Sequence, residues 1–163
     1  MRKSMSGLLL VGLICLASCA KRPLVSMAGQ PVPETPLLID VSYDSSLDNL
    51  VPGYKIIIVV VSNSGYAPFV LDPAEDRWTI VDRKGMRHAA YISLRDQDMN
   101  VWAGLSLELR QKLSSPLMVP NGVEQPFDLF LPGEVLLDGF RSLEFQSSQL
   151  HRTIRVITSV NAL

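Results

Sequence analysis

The side chains able to hold a metal or to catalyse are few. His88 and His151 are the only histidines among 163 residues. Met86-Arg87-His88 sets a thioether and an imidazole two positions apart, which on a strand is one face. Joined by Met99, Met118 or His151, that pair would make a soft copper site or a small-ligand carrier. No further ligand lies at a tight spacing, so the expectation is no bound metal and no cofactor, with Met86 and His88 as the weak candidates. Asp96-x-Asp98-x-Asn100 opens like a calcium loop. Val101 and Leu107 then stand where glycine and the final acid are needed, so the two aspartates read as helix-start charges. Asp72, Glu75 and Asp76 form a second acidic group, read as a solvated loop.

Covalent catalysis has little to stand on. Gly104-Leu105-Ser106-Leu107-Glu108 lacks the second glycine of a nucleophile elbow. Cys15 and Cys19 are the only thiols, and no phosphate loop or zinc spacing occurs. A spatial serine triad would have to draw on one of two histidines, and the expectation is a protein that is not an enzyme. The balance of 15 basic and 16 acidic residues gives a formal charge of −1, which argues against nucleic acid as a partner. With 47% hydrophobic and 19% charged residues, the composition is that of a folded domain.

The N-terminus reads MRKSMSGLLLVGLICLASC. Arg2 and Lys3 precede an uncharged apolar run from Gly7 to Leu16, too short to cross a bilayer and ordered like a secretory signal. Leu16-Ala17-Ser18-Cys19 resembles the lipobox of bacterial lipoproteins. That resemblance implies a signal peptide at residues 1–18 and lipidation of Cys19, whose thiolate would form the thioether. Several acyl chains on one residue would give a stable membrane anchor. In Gram-negative lipoproteins an Asp after the cysteine retains the protein in the inner membrane. Ala20 therefore implies the outer membrane, on its periplasmic side. Residues 19–36 hold four prolines and read as a tether.

Residues 37–163 must supply the folded body. Strands are expected at Leu37–Tyr43, Tyr54–Ser62, Tyr66–Leu71, Arg77–Val81, Met86–Ile92, Gln125–Leu131, Ser142–Phe145 and Thr153–Val160. Gly85 is expected to close the hairpin after Asp82. Between Ser93 and Ser115, Met99, Trp102, Leu105, Leu109 and Leu113 step like one helical face, although Leu105, Leu107 and Leu109 also alternate like a strand. A helical insertion near residues 95–113 is the preferred reading. Prolines after residue 36 border apolar runs, as in all-β proteins.

The fold expected is mainly β, an antiparallel β-sandwich. Val61-Ser62-Asn63 ending a long apolar strand, Trp78 to Gly85, Pro120 to Gly122 and Phe127 to Pro132 together resemble immunoglobulin-like domains of small bacterial lipoproteins. Such a resemblance implies no chemistry of its own. The function expected is a non-enzymatic envelope lipoprotein, with a membrane anchor at Cys19 and an envelope protein as partner.

Ile56 to Val61 is β-branched throughout, so both of its faces need cover. The expectation sets Ile56, Ile58 and Val60 toward the core with Tyr54, and Ile57, Val59 and Val61 away from it. Either the Met99–Trp102–Leu105–Leu109 stripe covers the outer set, or Ile57, Val59, Val61 and Trp102 form an interface.

Overall fold

A ten-residue apolar strand, Tyr54–Asn63 (β4), sits at the centre of one sheet, and its neighbours decide how the domain is laid out. The computed structural model describes residues 36–157 and, before them, two short strands, Leu24–Val25 (β1) and Pro31–Val32 (β2). β1 and β2 pair antiparallel within the segment expected to be a tether. The lipobox and Cys19 lie outside the described residues.

β4 pairs antiparallel with Leu37–Tyr43 (β3) on one side and Glu124–Pro132 (β9) on the other. A second antiparallel sheet has four strands: Arg77–Val81 (β6), Arg87–Ala90 (β7), Ser142–Ser147 (β10) and Arg152–Ile157 (β11), in the order β11-β10-β6-β7. A small pair, Phe69–Val70 (β5) with Met118–Val119 (β8), closes one end. The protein is thus mainly β with antiparallel sheets. Tyr91 and Phe130 exchange two backbone hydrogen bonds, at 2.9 and 2.8 Å, and stitch the end of β7 to β9. The turn after β6 is closed by Gly85, whose φ of +84° suits glycine.

The expected orientation of β4 is reversed. Ile57, Val59 and Val61 point into the main core, fully buried, and cannot be a surface strip. They meet Phe127 and Leu129 of β9 and Ile39 of β3, facing Trp78, Ile80, Leu143 and Phe145 of the other sheet. β4 itself is apolar on both faces and cannot signal a direction. β3 and β9 alternate clearly, with Ile39, Phe127 and Leu129 on one side and Asp40, Ser42 and Asp128 on the other. Their register transfers that choice to β4.

The insertion is helical, but broken. Leu94–Gln97 (α1), Met99–Gly104 (α2) and Leu107–Lys112 (α3) each start at their own cap. Ser93 Oγ accepts from Asp96 N at 3.3 Å, Asp98 Oδ1 from Val101 N at 3.0 Å, and Ser106 Oγ from Leu109 N at 3.2 Å. The helices cover the outer face of the three-stranded sheet at one end. There Leu94 and Leu105 bury Val51, Ile56 and Phe130, with Trp102, Leu109 and Leu113 packed around them. Met99 is left out, 54% exposed.

Because Trp102 is partly rather than fully buried, Trp102→Ala should cost about 1–3 kcal/mol, less than a fully buried ring. Denaturant unfolding of the variant tests this, and no loss at all would mean that the helices do not depend on the ring.

Candidate interaction surface

The helices reach only part of the outer face of the three-stranded sheet. Beyond them lie Leu38 on β3, Ile58 and Val60 on β4, and Pro126 on β9. Leu38 is 62% exposed, and Ile58 and Val60 belong to neither buried cluster. The register sets Asp40 beside Val60 and Pro126, and Asp128 beside Ile58 and Ser42. Glu124 lies at the far end, where its Oε1 accepts from Ser62 Oγ at 3.0 Å. The result is an apolar centre with a carboxylate rim, the usual anatomy of a protein interface but with acid in place of neutral polar groups.

Asp128 stands out on this patch. It is half-buried among apolar neighbours and has no ion-pair partner among the described residues. Burial pushes its carboxyl above the ordinary aspartate range. A raised folded-state value means that the native protein holds the proton more tightly than the unfolded chain. Its contribution is therefore greatest in acid and is lost as pH rises through the carboxylate range. Asp128→Asn should raise the melting temperature by a few degrees at neutral pH and leave it unchanged below the unfolded aspartate value of about 3.9. Equal melting of the two proteins at both pH values would contradict this cost.

The other candidate residues fall into separate places. His88 Nε2 lies 3.2 Å from Asp82 Oδ2, and that contact holds the Asp82 carboxyl below its usual range. Met86 and His88 line one groove of about 360 Å³ with Val135 and Leu136. His151 lines a different groove, beside Arg77 and Arg152. Met99 lies on α2 and Met118 on β8, neither in the Met86 groove. Among the described residues no three His, Cys, Asp or Glu gather as a metal site.

Of the acidic group before β6, Glu75 is exposed as in a solvated loop, whereas Asp76 belongs to the framework. Asp76 is buried; its Oδ1 accepts from Ser148 N at 2.7 Å and from Ser148 Oγ at 2.8 Å, and its Oδ2 from Asp72 N at 2.9 Å. It ties the β5–β6 loop to the end of β10. Asp98, the second aspartate of the calcium-like stretch, is an α2 cap.

Leu38 and Asp128 were not among the residues the sequence singled out, and Ile58 and Val60 were expected in the core rather than on the outer face. The clue lay in the flanking strands: with Phe127 and Leu129 inward, Asp128 and whatever pairs with it must face out. No protein-family model, no curated protein and no solved structure matches this chain.

Proposed function

We propose that this chain is a non-enzymatic bacterial lipoprotein, anchored through Cys19 at the periplasmic face of the outer membrane, whose β domain docks another envelope protein. The observation that carries the docking part is the Leu38–Ile58–Val60 patch with Asp128, which has no ion-pair partner among the described residues. A partly desolvated carboxylate beside half-buried Ile58 costs the free domain stability. A basic side chain on a partner would offset that cost while covering the apolar surface. The anchor rests on the lipobox resemblance alone.

The fold reading is an immunoglobulin-like sandwich. The orders β3-β4-β9 and β11-β10-β6-β7 correspond to A-B-E and G-F-C-C′ of such domains. A buried Trp on strand C is a hallmark there, and Trp78 on β6 takes that place, stacked on Phe145 of the adjacent β10.

The test combines anchor and patch in the full chain. Cys19→Ala should abolish palmitate labelling. Val60→Arg should leave labelling and melting unchanged but remove cross-links to an envelope protein from a photoreactive residue placed at position 38. Labelling that persists in Cys19→Ala defeats the anchor, and cross-links unaffected by Val60→Arg defeat the patch. A second reading, a metal or small-ligand carrier, is favoured only by the shared groove of Met86 and His88. A drop in melting temperature on adding chelator would support it.

A further inference from the structure

The opposite side of the molecule carries the opposite charge. Among the described residues no helix covers the outer face of the four-stranded sheet, and arginines from several strands gather there. Glu144 on β10 is buried, with its carboxylate between two of them. Arg155 lies directly across from it on β11 and donates from Nε to Oε1 at 2.8 Å, with Nη2 also on Oε1. Arg87 reaches over β6 from β7 and donates from Nη2 to Oε2 at 2.5 Å. These contacts, Arg87 first, hold the Glu144 carboxyl below its ordinary range, so it stays ionised.

Both arginine side chains nevertheless remain more than half exposed, at 59% and 62%. A guanidinium has five donors, and Glu144 engages only a minority on each. The two arms border a groove of about 460 Å³, together with Arg141, Ser142, Val81, Gly85 and Ile157. That volume falls in the range of small-molecule sites, roughly 300–1,000 Å³. Arg87 and Arg155 against the single Glu144 carboxylate leave this group of three net positive, on a chain whose overall formal charge is −1.

We propose that this groove binds a phosphate group, with Arg87 and Arg155 as its ligands and Glu144 as the carboxylate that positions them. A phosphate monoester carries about −1.5 to −2 at neutral pH and three terminal acceptor oxygens, so it can accept from both arginine arms at once. Guanidinium forks present paired donors to such oxygens, and Glu144 removes much of the side-chain entropy that two loose arginines would lose on binding. The phosphate is either free in solution or the headgroup of a lipid, for which Val81 and the 75% exposed Ile157 supply an apolar rim.

The experiment uses the full chain carrying Cys19→Ala. Inorganic phosphate is titrated calorimetrically at constant ionic strength. Retention is measured on vesicles of equimolar phosphatidylcholine and phosphatidic acid, against phosphatidylcholine alone. Arg155→Lys and Arg87→Lys keep the charge and lose the fork, and each should weaken binding about tenfold. Arg77→Lys, on the same face but outside the groove, should not. Saturable phosphate binding without added vesicle retention supports a free-phosphate site. Retention on phosphatidic acid that inorganic phosphate competes away supports a headgroup site. Absence of both, or equal weakening by Arg77→Lys, overturns the proposal.

Discussion

Phe145→Ala should be among the most damaging single changes in the folded body, costing about 3–5 kcal/mol. The ring is fully buried on β10 and joins both sheets. Trp78 stacks on it with centroids 4.1 Å apart, and Phe69 meets it edge-on at 6.3 Å. Alanine would remove the transferred area, open a cavity and dissolve both aromatic contacts, each worth about 0.5–1.5 kcal/mol beyond burial. Against a typical domain stability of about 5–15 kcal/mol, such a loss leaves a marginal protein. Denaturant melts followed by tryptophan fluorescence measure it. Phe145→Leu, which keeps most of the volume, should fall clearly between. An alanine variant as stable as its parent would show that the stack is not part of the core.

Asn63→Leu should cost about 3 kcal/mol, although it makes a buried side chain more hydrophobic. Asn63 ends β4, and its amide closes three backbone groups at once. Nδ2 donates to Ala67 O at 2.9 Å and to Val119 O at 3.0 Å, while Oδ1 accepts from Gly65 N at 2.9 Å. Its own backbone pairs with Val123 and Gly122, so one residue fastens the turn after β4 to the turn before β9. Leucine is near in size but leaves those groups unanswered, each at about 1–3 kcal/mol where water cannot reach. Asn63→Asp keeps only the acceptor and buries a charge, so at neutral pH it should be no better. Thermal melts of the two variants decide the matter. A stable leucine variant would mean that solvent satisfies the freed groups.

How much of this was legible differs from element to element. β3 and β6 lie where their alternation and flanking turns place them, Leu37–Tyr43 and Arg77–Val81. The existence of β4 was plain, but its facing was not, because Ile56 to Val61 offers no polar residue to mark the wet side. The helical insertion was legible from its apolar spacing. Its division into three follows from Asp98 and Ser106, residues that cap helices and that the apolar spacing runs straight across. The surface patch depended on the facing of β4 and was missed with it. The arginine groove was out of reach for another reason: Glu144 meets Arg87 across 57 residues and Arg155 across 11, and no local pattern encodes such a meeting.

The order in which the chain is made adds a consequence of the strand order. β4 finds one partner early, in β3, but its second is β9, and the neighbour of β6 on the inner side is β10. Both central pairings therefore wait for the last third of the chain. Contacts of such separation form slowly, because loop-closure entropy is spent before they give anything back. Until β9 emerges, β4 has an open edge along six consecutive β-branched residues, Ile56 to Val61. A segment with that composition, uncharged and free of proline, is a template for pairing with its own kind. The strand that organises the finished domain is thus its greatest aggregation hazard during synthesis, and any step that keeps the nascent chain apart from its copies until β9 docks protects the fold.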